Sequence, residues 1–349
     1  MNFLTHDTLA HDTLAYDTWA QGKLNEPAAC AAMSPLAAPP PFAIPPMRQR
    51  TLKGKIGCVG VGLHGGRAVS LTLHPAAPGT GIVFRRTDVA ASGAGRIDIP
   101  ARFDAVADTR LCTELAAPGA EDVTVGTVEH LMAALAGCGV DNVLVEIDGP
   151  ELPILDGSAA PFVFLIDCAG VVEQAAPRRV IEILRPVEVI AGDASAAFYP
   201  TAGSDGLDMA LSIAFDAPAI GRQALALHLT EESFRRELAR ARTFTLASII
   251  TALQASGRAI GGSLDNAVVV DGARVLNPDG LRMPDEFVRH KLLDAVGDLA
   301  LAGASLRGRF VAHRSGHALN NQLLRALFAI PLAWRDATPA LPEWLSAAA

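Results

Sequence analysis

The run Phe287-Val-Arg-His-Lys-Leu-Leu-Asp-Ala-Val-Gly-Asp298 sets the architecture of this chain, because it occurs twice. An earlier run, Thr127-Val-Glu-His-Leu-Met-Ala-Ala-Leu-Ala-Gly137, aligns with it residue for residue. His130 falls on His290 and Gly137 on Gly297, and Ala134 stands where the later run has Asp294. Both runs read as helices. Side chains four residues apart stack on one helix face, so His290 and Asp294 offer two ligand atoms side by side. Matched helices from two related halves put His130, His290 and Asp294 in a position to converge on one ion, with Glu129 beside it as a free carboxylate. Three protein ligands and one unbound acid describe a catalytic zinc hydrolase. Taken alone, a His/Asp pair at this spacing is more often solvated than ligating, and a structural repeat needs no metal. The recurrence favours the metal, since one half offers one ligand and the other offers two.

Length and composition bound what surrounds this centre. At 349 residues the chain exceeds a comfortable single core, and two domains fit both the length and the repeat. A net charge of -8 gives no electrostatic reason to expect nucleic acid. Cys30, Cys58, Cys112, Cys138 and Cys168 are odd in number and share no Cys-x-x-Cys spacing, which speaks against a disulfide framework and against a thiolate zinc site. A reducing cytoplasm is the simplest compartment. No apolar run approaches the ~20 residues of a membrane span, and the N-terminus lacks the pattern of a secretory signal, so any lipid contact is peripheral or through the substrate.

Residues 1–46 differ from all that follows. His-Asp-Thr-Leu-Ala and close variants repeat between Thr5 and Ala20, and an Ala/Pro-rich stretch ends at Pro45-Pro46. Such composition predicts a disordered extension, with His6 and His11 solvated and Met47 a candidate start of the folded chain. Domain I is expected over 47–177 and carries Glu129 and His130; domain II, over 178–349, carries His290, Asp294 and His317. The predicted strands are Arg67–His74, Gly81–Arg86 and Asp141–Asp148 in the first half, then Val180–Val189, Leu207–Phe215 and Arg309–His313 in the second. Predicted helices run from Thr127, over Ser158–Cys168, from a Thr230 cap, over Asp285–Ala302 and over Gly316–Ala329. Each half is therefore an α+β unit.

At this level of detail the chain closely resembles the UDP-3-O-acyl-N-acetylglucosamine deacetylases, zinc amidohydrolases of lipid A biosynthesis. The likeness runs through Arg48-Gln-Arg-Thr-Leu-Lys53, Gly60-Val-Gly-Leu-His64, Gly81-Ile-Val-Phe-Arg-Arg86, Thr127-Val-Glu-His-Leu131 and Pro153-Ile-Leu-Asp-Gly-Ser158. It continues through Ala241-Arg-Thr-Phe244, Asp285-Glu-Phe-Val-Arg-His-Lys291 and Ser315-Gly-His-Ala-Leu-Asn-Asn321. No one motif is specific; their joint order and spacing are. The resemblance implies an α+β fold of two similar two-layer sheet-and-helix domains, with the active site between the helix layers.

It also implies roles. His130, His290 and Asp294 match the family's zinc ligands and Glu129 its general base. His317 matches a second acid/base residue that stabilises the oxyanion and helps protonate the leaving amine, Asp298 matches its orienting partner, and Thr243 matches a hydroxyl that donates to the oxyanion. From the residues alone, Glu129 also fits a helix N-terminus, His317 a cap, and Thr243 and Asp298 surface positions. Lys291 and Phe244 match substrate contacts, and Gly261-Gly262-Ser263 matches the wall of an apolar passage for the acyl chain. His64 is grouped with the substrate contacts, although for it and for Asp156 acting and merely supporting stay open. Cys112 matches a position near the metal where a thiol can bind excess zinc, and a small buried residue is its simpler reading. Ala217 departs from the pattern, since members often carry His there. The implied partner is a UDP-linked acylated glucosamine, with no nucleic acid, no transmembrane segment and a monomeric chain near the membrane surface. A zinc deacetylase of another N-acetyl sugar and a noncatalytic nucleotide-sugar-binding protein are the alternatives.

Overall fold

The computed structural model describes residues 47–89, 96–203 and 205–340; the extension expected over 1–46, with His6 and His11, lies outside them. In the first half, Val143–Ile147 is the middle of a five-stranded sheet ordered Ile56–Val61, Ala68–Pro75, Val143–Ile147, Ile82–Arg86, Ile97–Pro100. Val143, Val145 and Ile147 are buried and alternate with half-buried residues, the period-2 pattern that identifies a strand from sequence. Arg48–Leu52 pairs antiparallel with Val171–Pro177 and ties the start of this half to its end. Three short strands, Val106–Asp108, Glu114–Ala117 and Ala120–Val125, form a separate sheet that the sequence pattern does not announce.

The second half builds a seven-stranded sheet around Ser305–His313. That strand pairs antiparallel with Ala194–Tyr199 and parallel with both Val180–Ile183 and Leu207–Ala214. Four of its nine residues are buried in strict alternation, and it is longer than the Arg309–His313 segment predicted. Beside it, Phe244–Leu246, a crossing helix and Val268–Asp271 make a small parallel unit completed by Arg274–Val275. Among the described residues no sheet mixes strands of the two halves.

Six α-helices lie among the described residues: α1 (Glu129–Gly137), α2 (Ala160–Ala169), α3 (Glu231–Ser233), α4 (Ala247–Ala255), α5 (Glu286–Ala300) and α6 (His317–Ala329). The Thr230 cap is present and its capping box is complete, but the helix continues beyond Ser233 as a π-turn over Phe234–Leu238 rather than as α-helix. The first helix starts two residues later than the pattern suggests. Thr127 has φ of 57°, a left-handed conformation that cannot begin an α-helix. The fold is α+β, with α1 and α5, the two copies of the repeated run, packed against each other and buried on nearly every side. Gly297 permits that approach, since a Cβ there would collide with the Glu129 carbonyl; Gly137, its counterpart, lies against the Phe234 ring. The repeat is thus the seam at which the halves meet.

Candidate active site

α1 and α5 deliver the ligand set. Ligand atoms of His130, His290 and Asp294 lie within 4.8 Å of one another, and all three residues are buried. Asp294 Oδ1 is 3.2 Å from His290 Nε2 and 3.7 Å from His130 Nε2. His290 Nδ1 meets the Ala241 carbonyl at 3.0 Å, so that nitrogen carries the hydrogen and leaves the Nε2 lone pair facing Asp294. Burial pushes His290 down to about 4, against the pull of Asp294, which keeps it a neutral ligand. Burial penalises the Asp294 carboxylate, yet His290 and Lys291 hold it well below the usual range. Asp294 Oδ1 and His130 Nδ1 are buried without a hydrogen-bond partner among the described residues. Lone pairs converging around an orphaned carboxylate oxygen fit a cation, and buried acceptors left unpaired are otherwise costly.

Two buried titratable groups, Glu129 and His317, flank this cluster. Glu129 opens α1, and burial raises its pKa against the pull of His317 and His130. Its Oε2 accepts from the Thr113 N–H at 3.1 Å, and its Oε1 is 4.0 Å from His317 Nε2. His317 opens α6, and its Nδ1 meets Asp298 Oδ2 at 2.9 Å. Burial alone would lower the imidazole; the charge and hydrogen bond of Asp298, aided by Glu129 and Asp294, push it up to about 9.

A cavity of about 100 Å3 opens onto these groups and is lined by Glu129, His130, His290, Asp294 and His317 together with Leu63, His64, Leu111, Cys112, Thr127, Ile154, Thr243, Phe244 and Lys291. The metal candidates His130, His290 and Asp294 and the substrate candidates Lys291, Phe244 and His64 therefore line it, whereas Gly261, Gly262 and Ser263 do not; Asp298 stands behind His317. Lys291, half-buried, donates to Asp294 Oδ2 at 2.8 Å, an anion that raises its pKa against the cost of desolvation. Phe244 stacks edge-on against Phe287 and Phe215 and walls the His290 ring. Thr243 is fixed through its backbone, donating to Gly157 and accepting from Val268. Among the described residues neither ring nitrogen of His64 has a hydrogen-bond partner, and burial lowers its pKa. Burial likewise raises the Cys112 thiol to about 12, so it is neutral.

Asp156 does not reach the cavity. Its carboxylate accepts from Ser158 and pairs with Arg282 at 2.9 Å, shaping the turn before α2. Ile260 and Gly261, at the start of the stretch matched to the passage wall, donate to the carbonyls of His64 and Leu63. Two residues of this site had no assignment from sequence. Asn320, one turn after His317 on α6, donates to Asp298 Oδ2 at 2.8 Å, and its three-residue spacing from His317 was the available signal. Thr113 donates to Asp298 Oδ1 at 2.6 Å from 185 residues away, which no local pattern encodes.

Comparison with known proteins identifies the family. A model of the family described as UDP-3-O-acyl N-acetylglycosamine deacetylase matches residues 49–329. A protein named UDP-3-O-acyl-N-acetylglucosamine deacetylase from Phenylobacterium zucineum is 53% identical over 292 residues, covering 84% of this chain and 97% of its own. Proteins of the same name from Vibrio campbellii and Idiomarina loihiensis are 50% and 49% identical over 294 residues, covering 84% of this chain and 93% of theirs. The buried His-His-Asp cluster could hold a metal ion, and the match over residues 49–329 shows that the chain belongs to the UDP-3-O-acyl N-acetylglycosamine deacetylase family.

Proposed function

We propose that this chain hydrolyses the N-acetyl group of UDP-3-O-(3-hydroxyacyl)-N-acetylglucosamine, releasing acetate, as a step of lipid A biosynthesis. One zinc ion held by His130, His290 and Asp294 is part of the proposal. The observation that carries it is the orphaned Asp294 Oδ1 facing two imidazole nitrogens beside a carboxylate that ligates nothing. Bound zinc supplies a Lewis acid that polarises the acetamide carbonyl and lowers the pKa of water to around 7. Glu129 takes a proton from the attacking water through Oε1, the oxygen not engaged by Thr113. The charged His317 faces the negative charge that develops on the former carbonyl oxygen, and the Thr243 hydroxyl donates to it. As the C–N bond breaks, His317 gives its proton to the leaving amine, and Asp298 and Asn320 keep its ring in place. Lys291, Phe244 and His64 contact the sugar and its substituents.

The same proposal makes the chain a cytoplasmic monomer with domains over 47–177 and 178–349. Sheets formed wholly within each half support that division. Among the described residues no helix is long and apolar enough to cross a membrane, so contact with lipid is peripheral. The test is acetate release from the acylated UDP-sugar by the purified, zinc-loaded protein. Absence of acetate, or equal turnover of an N-acetyl sugar without the acyl chain, overturns the substrate assignment.

A further inference from the structure

Thr113 touches Glu129 and Asp298, the partner of His317, one from each half of the chain. It is buried, and the left-handed Leu111 (φ 73°) two residues earlier turns the chain into the site. Its backbone brackets the start of α1: the carbonyl accepts from the Val128 N–H at 3.4 Å, and its N–H donates to Glu129 Oε2 at 3.1 Å. That bond engages one oxygen of Glu129 and leaves Oε1 toward His317. The hydroxyl points across the seam and donates to Asp298 Oδ1 at 2.6 Å, while Asp298 Oδ2 takes His317 at 2.9 Å and Asn320 at 2.8 Å. One threonine thereby selects the free oxygen of one carboxylate and the rotation of the other.

We propose that Thr113 is a positioning residue of the deacetylation, whose N–H orients Glu129 and whose hydroxyl orients Asp298, so that base and acid stand in one geometry across the two halves. This rests on the acid/base reading given above. A hydroxyl donor also spreads the charge of the Asp298 carboxylate. Without it more of that charge falls on His317, which the carboxylates of Glu129 on α1 and Asp294 on α5 also pull upward, while Lys291, His64, His130 and His290 line the same cavity.

Thr113→Val keeps the shape and the N–H and removes only the hydroxyl. With the zinc-loaded protein and the acylated UDP-sugar, the variant should lose about tenfold in kcat with KM within about twofold. Its basic pH limb should rise by about half a unit or more, with metal content unchanged. Thr113→Ser restores the donor and should return all three to wild type. A folded Thr113→Val with wild-type kcat and an unmoved limb overturns the proposal, as does a serine variant no better than the valine. If the valine variant misfolds, Thr113→Ala removes the same donor without added bulk and is judged by the same outcomes. His317→Ala, run alongside, separates the two claims: full activity there sinks the acid/base reading, whereas its loss beside an unaffected Thr113→Val sinks only this inference.

Discussion

Glu129 and His317 share one buried pocket, and the physics that penalises both charges is answered differently at each. Burial pushes the Glu129 pKa up and makes it a better proton acceptor, whereas for His317 the Asp298 anion outweighs burial and holds the imidazolium to about 9. Glu129→Ala should keep about one zinc per chain, because the residue ligates nothing, and lose on the order of 10² to 10⁴ in rate. Metal analysis and steady-state kinetics on the same sample check both halves of that statement. His317 lies above its ordinary value of 6.5, so stabilisation from the Asp298 pair is complete below that pH and is lost as pH rises through about 9. Activity that needs the imidazolium should fall over the same upper range. Asp298→Asn removes the anion, and its basic limb should move to lower pH; an unmoved limb would assign that ionisation to another group.

At the scale of elements, α5 is the part most legible in the sequence and α1 shows what the pattern hides. The ligand spacing on α5 and the alternation of Val143–Ile147 and Leu207–Ala214 are local, so sequence periodicity reveals them. The conformation of Thr127, the Thr113–Asp298 bond and the short strands Val106–Asp108 and Phe244–Leu246 depend on distant partners and leave no periodic trace. Left-handed non-glycine residues gather here too: Leu111, Thr127, Leu155 and Arg314 each lie in or within three residues of a cavity-lining position. Each such conformation costs about 1–3 kcal/mol, and the surrounding packing must offset it. Two ties fix α5. Gly297→Ala would force its Cβ into the Glu129 carbonyl, and overpacking of this kind typically costs about 1–3 kcal/mol, seen as a lower Tm with weakened zinc retention. Glu286, fully buried at the start of α5, accepts from the Arg242 backbone and guanidinium and from the Arg282 N–H; this clamps the strand end whose Ala241 carbonyl orients His290. Arg242→Met strands that carboxylate and should cost about 3–5 kcal/mol in denaturant unfolding. A loss below about 1 kcal/mol would show that the backbone donors alone suffice.

Across the whole molecule, the ligand set spans the seam between the halves, with His130 from the first and His290 and Asp294 from the second. On the proposed zinc assignment, an ion bound there would tie together two α+β halves that share no sheet among the described residues and so link metal loading to folding stability. Zinc at a hundredfold excess over its Kd stabilises the folded chain by about 2.7 kcal/mol. Removing it with a chelator should lower Tm by several degrees, and adding zinc should restore the loss in the wild type. His130→Ala retains both α5 ligands but cuts the only one from α1, so its Tm should respond far less to zinc. A metal held by α5 alone would leave the His130→Ala response intact. That outcome would detach the ion from the seam and leave packing between α1 and α5, relieved at Gly297, as what holds the halves together.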